Sequence, residues 1–241
     1  MSRRSHRMVV VAAAAAALGC SDSTPPKPLV IPAFLVVGDT AGTAQLYRVD
    51  NGVVTRLAVT PGNDTDPRVA AGRIVFSSDR DANAEIYIED TLASVSRRVT
   101  NNGAQDDRPA LSPDGSTIVF VSNRSGAPRL WTVPAPALDA VAFDAPTALA
   151  TGSNSAIPEG APAWCADGSE LAVTSTRTGV SHVFTIPLAG GAAVQVTTEV
   201  GGAFYPGWSA DAKYPTYMSS IRSVHPPLFR PSSAAAPALP T

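Results

Sequence analysis

One recurring pattern limits what this chain can fold into. Short apolar runs, RIVFSS at 73–78, TIVFVS at 117–122 and ELAVTS at 170–175, each end in a serine followed two residues later by Arg80, Arg124 or Arg177. A second run with an aromatic residue comes next, carrying Tyr87, Trp131 or Phe184, with Tyr47 in an earlier, partial copy. A short third run closes each unit: RLAVT, RRVT, ALAT and VQVT. Ahead of each unit stands a proline, at Pro67, Pro109, Pro162 and Pro206, so the spacings are 42, 53 and 44 residues. A polar turn separates proline and first run, best written in Ser112-Pro113-Asp114-Gly115 and more loosely in Cys165-Ala166-Asp167-Gly168.

A period in the forties with about four strands per unit points to radially stacked small sheets. One such sheet cannot bury both faces alone, so the repetition serves a shared core. The run T-I-V-F-V-S is apolar at consecutive positions, as a strand buried on both faces would be. The 22 prolines and 18 glycines are too much punctuation for a helical protein. The expected fold is all-β: a β-propeller of four-stranded antiparallel blades. Three whole units and two partial terminal ones give four to five blades, in a ring that is incomplete or closed by strands from both termini. In the last unit Asp211-Ala212-Lys213 replaces the Asp-Gly turn and Pro215 falls inside the expected strand, where it removes a ladder hydrogen bond.

Taken together, these residues resemble the PD40 (WD40-like) repeat of TolB-type propellers. Residues 101–134 fit best, through DDRPALSPDGSTIVFVSNRSG. Residues 61–100 fit with Ala70-Ala71-Gly72-Arg73 in place of the S-P-D-G turn, and residues 152–198 with Cys165 at the serine position. Residues 29–60 supply only later strands of a unit, and 199–222 only earlier ones. The motif is specific for the repeat and weak for any one function.

The N-terminal segment follows another plan. MSRRSHR carries three arginines, the apolar run Met8 to Leu18 is eleven residues long, and GCSDS follows. A basic start, a short apolar centre and small residues make a secretory signal, and the centre is too short to span a bilayer as a helix. Ala17-Leu18-Gly19-Cys20 resembles a lipobox, with Ala17 where leucine is usual. The resemblance implies a lipoprotein signal over 1–19 and lipidation of Cys20. Ser21 is compatible with the periplasmic side of the bacterial outer membrane. A plain cleaved signal is the alternative. Residues 20–32 read as a polar, proline-rich tether, residues 33–222 as the propeller, and residues 223–241 as a disordered Pro/Ala/Ser-rich tail. Without Arg3, Arg4 and Arg7, the 18 basic residues fall to 15 against 20 acidic ones. Such an acidic exported protein is a poor candidate for nucleic acid. The other cysteine is Cys165, so acylation of Cys20 would leave no intramolecular disulfide.

In a four-stranded blade, the link from strand four to the next strand one shares a face with the loop between strands two and three. One rim therefore collects Asp64, Asp66, Asp106, Asp107 and Glu159 from the first kind of loop. It collects Asp79, Arg80, Arg124 and Arg177 from the second. These charges suit internal arginine–carboxylate pins, with Arg124 reaching Asp106 or Asp107. They also suit a polar mouth that grips a peptide or saccharide. Asp79-x-Asp81-x-Asn83-x-Glu85 has the oxygen spacing of a calcium loop without its glycine or late glutamate. The three histidines, His6, His182 and His225, are too few and too scattered for a metal site or triad, and no G-x-S-x-G occurs. Cys165 reads as a small buried filler, and Trp131, Trp164 and Trp208 as core between blades. No catalytic residue, metal ligand or cofactor is expected. The expected function is non-catalytic: an envelope lipoprotein whose rim binds a protein or cell-wall partner, held to the membrane by its N-terminal lipid. A glycan-processing or lyase-type propeller enzyme and a partial propeller without ligand are the alternatives.

Overall fold

The structure, a computed structural model, describes residues 9–11, 34–40, 42–57, 61–91, 95–149, 162–189, 192–209, 211 and 213–220. These residues form eighteen strands and no helix. The first sheet pairs β1 (Val9–Val11), β2 (Phe34–Thr40), β3 (Thr43–Asp50) and β4 (Val53–Arg56) in that order. The second holds β5 (Asp64–Ala70), β6 (Arg73–Ser78), β7 (Glu85–Asp90) and β8 (Ser96–Arg98). The third holds β9 (Asp106–Leu111), β10 (Thr117–Ser122), β11 (Arg129–Pro134) and β12 (Thr147–Ala148). The fourth holds β13 (Ala163–Trp164), β14 (Glu170–Ser175), β15 (His182–Pro187) and β16 (Val194–Gln195). β17 (Ala203–Trp208) and β18 (Pro215–Ser219) make a two-stranded sheet. All pairings are antiparallel. Each repeat unit is thus one sheet, four of them four-stranded and the last a half.

The packing shows why the strand-two runs do not alternate. Along β10, Ile118 and Phe120 join Leu111 and Val133 against Val75, Ile86, Ile88 and Val99 of the second sheet. Val119 and Val121 point the other way, with Ala110 and Leu130, onto Leu171, Val173, Phe184 and Ile186 of the fourth. Leu35 and Leu46 meet Ile74, Phe76 and Tyr87 between sheets one and two. Ala172 and Val183 meet Ala203 between sheet four and the half sheet. Both faces of a middle sheet are therefore core. First strands carry much of the contact between sheets: β9 lies against β5, β6, β7 and β13, and β17 against β13, β14 and β15. This convergence makes them the inner strands. Two tryptophans staple it, Trp164 donating from Nε1 to the Ala110 carbonyl at 3.1 Å and Trp208 to Ala163 at 3.0 Å.

The turns follow their chemistry. Ser112 Oγ accepts the amides of Ser116 at 3.1 Å and Thr117 at 2.9 Å, and Asp114 accepts Ser116 N at 3.0 Å. Gly115 takes φ 74° there, and a Cβ on it would meet Ala71 Cβ of the neighbouring turn at 2.7 Å. The second sheet lacks S-P-D-G because Ala71 and Gly72 both adopt positive φ and join Ala70 directly to Arg73 in a two-residue turn.

The first sheet holds one arrangement that local sequence does not announce. The backbone of Val9–Val11, within the stretch read above as a leader, pairs with β2 in the register Val9↔Val37, Val10↔Val36 and Val11↔Leu35. It takes the place of strand one. Cys20, the tether over 21–32, Glu159 and the tail beyond residue 220 lie outside the described residues.

Candidate functional site

The Ser-x-Arg signature builds a fastening within the second, third and fourth sheets. Ser78 Oγ accepts Arg80 Nε at 2.9 Å, and Arg80 Nη2 reaches Asp64 Oδ1 at 2.9 Å. Ser122 Oγ accepts Arg124 Nε at 2.9 Å, and Arg124 Nη2 reaches Asp106 Oδ2 at 2.7 Å. Ser175 Oγ accepts Arg177 Nε at 3.2 Å. Each guanidinium lies over the strand-three aromatic: 4.2 Å from the Tyr87 centroid, 4.9 Å from Trp131 and 4.5 Å from Phe184. The serine ends strand two, the acid opens strand one and the aromatic sits on strand three, so one arginine ties three strands at the rim. The turn then needs a residue at positive φ, supplied by Gly126 (94°) and Gly179 (93°), but by Ala82 at 91° in the second sheet. Ala82→Gly is expected to stabilise the protein by about 1 kcal/mol through relief of that strain, measured as a raised midpoint in urea unfolding.

These fastenings sort the rim charges proposed from sequence. Arg80, Asp64, Arg124 and Asp106 are joined in ion pairs, with the two carboxylate side chains at 2% and 0% exposure. Exposed Asp79 accepts Asn63 N at 2.6 Å and Asn63 Nδ2 at 2.8 Å, stapling two rim loops. Arg177 lies on Phe184, and burial lowers its pKa. Asp66 and Asp107 belong to neither kind of staple.

The sequence reading missed a second network beside the fastenings. Fully buried Glu85 accepts Asn102 N at 2.8 Å, Arg98 Nη2 at 3.0 Å and Asn83 Nδ2 at 3.1 Å, together with the Thr100 hydroxyl. Asn102 Nδ2 continues to Asp106 Oδ2 at 2.8 Å, joining the second sheet to the third. Gln45 and His182 hold the same strand-three position. Gln45 Nε2 donates to the Gly62 carbonyl at 2.7 Å, and His182 Nδ1 lies 3.3 Å from Thr197 Oγ1. The apparent calcium spacing of Asp79, Asp81 and Glu85 is therefore spent on protein partners, Asp79 on Asn63 and Asp81 on the Tyr87 hydroxyl, with Arg98 shared between Asp81 and Glu85. Among the described residues no three His, Cys, Asp or Glu side chains group to hold a metal.

Asp66 and Asp107 lie on a different feature, a bulge near the rim end of the inner strands. Asp66, Arg108 and Tyr205 each precede the unit's proline and have φ of 52°, 52° and 50°. The ladder slips between Thr65 and Arg68, between Asp107 and Ala110, and between Phe204 and Gly207. A non-glycine residue at positive φ before a proline is strained, since the ring disfavours helical backbone there. Three repeats keep it. The bulge leaves Asp66 and Tyr205 exposed and Arg108 half-buried. Arg108 N donates to Ser77 Oγ at 3.1 Å on the preceding sheet, and Arg108 Nε lies 3.9 Å from Asp107 Oδ1. That Asp107 oxygen is buried without a hydrogen bond. Burial raises the Asp107 pKa against the pull of Arg108, with Asp66 and Asp106 adding to the rise. Arg68 close by is lowered by burial and held up by Asp66. The result is a mixed-charge, incompletely satisfied patch where sheets two and three meet.

One buried acid is separate from this patch. Tyr87 and Glu89 alternate with Ile86 and Ile88 along β7 and turn away from the third sheet. Glu89 is 2% exposed, and burial pushes its carboxyl up to about 7, against the pull of Arg80 and with a push from Asp64. Its ordinary value is 4.5. The folded state therefore holds a proton that the unfolded chain has lost between pH 4.5 and 7. The stability associated with it is full below that window and falls as pH rises through it. Glu89→Gln is expected to be more stable than wild type by roughly 2–3 kcal/mol at pH 8, the difference shrinking to below about 1 kcal/mol at pH 5. Urea unfolding of both proteins at the two pH values checks this.

On the opposite face, a cavity of about 530 Å³ opens between the Asp-Gly turns of sheets three and four, lined by Asp114, Asp167, Trp164 and Leu188 among others. Both carboxylates are held below their usual range by bonds to their own turns, from Ser112 and Ser116 to Asp114 and from Ser169 to Asp167.

Comparison with known proteins agrees with this geometry. No family model matches the chain. Over 152 residues it is 29% identical to a TolB homolog of Chlorobium chlorochromatii, a match covering 63% of this chain and 32% of that relative. The crystal structure of TolB from Acinetobacter baumannii superposes with a TM-score of 0.61 at 19% identity, over 79% of this chain and 44% of that one. The fold also serves enzymes. A gluconolactonase from Xanthomonas campestris superposes at 0.58 with 16% identity, over 77% of this chain and 65% of that one. The chain thus spans less than half the length of either TolB protein. With one sheet per repeat, inner strands converging and an arginine fastening the rims of sheets two to four, the chain is a TolB-like β-propeller.

Proposed function

We propose that the protein is a non-catalytic envelope lipoprotein whose propeller rim binds a protein or cell-wall partner on the periplasmic side of the outer membrane. The observation that carries this reading is the bulged inner-strand patch. Asp66, Asp107 and Arg108 lie beside strained backbone and outside the fastenings, while Asp64, Asp106, Arg80 and Arg124 are consumed in them. Strain held at equivalent positions marks a place where something besides stability is selected. Asp107 Oδ1 makes no hydrogen bond, with Arg108 Nε 3.9 Å away. The likeness to TolB supports an envelope setting, and the Ala17-Leu18-Gly19-Cys20 stretch supports a lipid anchor at Cys20. The patch carries both signs of charge, which suits a polar protein segment better than a uniformly charged polymer.

The test separates anchor from partner. Cells grown with labelled palmitate should label the protein, and Cys20→Ala should abolish the label. Cross-linking in intact cells should join wild type to a defined envelope partner, and Asp66→Ala with Arg108→Ala should remove that adduct while urea stability changes little. An adduct that persists in the double variant would place binding elsewhere.

A further inference from the structure

The link from strand three to strand four is short in three of the four-stranded sheets: residues 51–52, 91–95 and 188–193. In the third sheet it runs over 135–146. This insertion contributes to the spacing of 53 residues between Pro109 and Pro162. Insertions in a repeat fold collect in loops of one face, often the binding face.

The loop is clamped at its base. Ala135 and Leu138 pack onto the core between sheets two and three. Ala135 N donates to the Ser116 carbonyl at 2.8 Å. From the second sheet, Arg73 donates to the Pro136 carbonyl at 3.0 Å and also to the Gly115 carbonyl. Buried Arg97 donates to the carbonyl of Ala137 at 3.0 Å and to that of Ala142. Two arginines of one sheet thus fix the backbone of the next sheet's loop at Pro136, Ala137 and Ala142.

What the clamp presents is apolar. Residues 139–145 are all exposed, Val141 at 94% and Phe143 at 49%. A mere spacer needs neither a fixed backbone nor an aromatic ring in solvent. Asp139 and Asp144 flank the pair, and residues 135–146 contain no Lys, Arg or His.

We propose that this loop docks into an apolar pocket of a partner protein. Phe143 is the anchor, Val141 lies beside it, and Asp139 and Asp144 meet basic side chains at the pocket's mouth. An aromatic side chain on pre-ordered backbone suits this role, because little freedom is lost on binding. The two acids argue against a bilayer, since segments seated on anionic headgroups carry Lys and Arg. The loop shares its face with the Ser112–Gly115 turn, opposite the Asp66–Arg108 patch. It is a second surface, independent of the rim reading.

Photo-cross-linking in intact cells, with benzoylphenylalanine at position 141, tests this. An adduct with one defined protein is expected, and peptide mapping should place the contact among lysines or arginines of that partner. Phe143→Ser should cut the adduct about tenfold. Asp139→Lys with Asp144→Lys should cut it about threefold. Both variants should keep the wild-type unfolding midpoint, because the three side chains are exposed. Asp66→Ala with Arg108→Ala should leave this adduct unchanged, which separates the loop from the rim. No adduct at 141, an adduct indifferent to Phe143→Ser, or a contact on an acidic surface would overturn the proposal. So would flotation of purified Cys20→Ala protein with phosphatidylethanolamine–phosphatidylglycerol vesicles that Phe143→Ser abolishes.

Discussion

Arg124→Ala should cost about 3–5 kcal/mol of folding stability, the range for removing one partner of a buried pair. The variant leaves the fully buried Asp106 carboxylate with Asn102 Nδ2 as its partner. It also removes the cation stacked between Phe120 and Trp131, 5.3 and 4.9 Å from their centroids. Stacking of that kind adds about 1 kcal/mol. Arg124→Lys should recover only part of the loss, because an ammonium cannot reach Ser122 Oγ and Asp106 with a planar fork. Adding Asp106→Ala to Arg124→Ala should cost much less than the sum of the two single changes. Urea unfolding of the four proteins measures the coupling. A loss below about 1 kcal/mol for Arg124→Ala would mean that the pair behaves as an exposed one.

The second large effect is expected at Phe120→Ala, at about 3–5 kcal/mol for a fully buried aromatic ring. Phe120 is 0% exposed and packs with Val75, Ile86 and Ile88 of the neighbouring sheet. The hole therefore opens between two repeats rather than within one. Unfolding should remain a single transition with a lower midpoint, because solenoid-like and propeller units draw stability from their neighbours. A second, separate transition in the variant would show that the sheets fold on their own.

Much of this fold is legible in the repeat, because each signature residue carries a local constraint. Ser122, Arg124 and Trp131 are placed by a turn and a stacking distance, and Gly115 by a positive φ. Such features repeat with the chain and can be read from it. The rim network at Glu85 cannot. Its oxygens look like a calcium loop in sequence, but the side chains of Asp79, Asp81 and Glu85 take Asn63, Arg98 and Asn102, which lie 16 to 17 positions off in the chain. The bulge at Asp66 and Arg108 runs against local expectation, since a residue before proline should be extended. The slip in the ladder between the inner strand and its neighbour, β5 with β6 and β9 with β10, is where φ near 50° is accommodated. The pairing of Val9–Val11 with β2 joins residues more than twenty positions apart, and no turn signal links them. Sequence found the rim acids and arginines but could not divide them into fastened and unfastened, since that depends on which acid opens β5 and β9.

Hydrogen exchange by mass spectrometry on wild type and Phe120→Ala tests most directly whether neighbouring repeats share one core. If they do, the amides of β6 and β7 in the second sheet lose as much protection as those of β10 and β11, although no residue of the second sheet is changed. Loss confined to β10 and β11, with β6 and β7 as protected as in wild type, would contradict it.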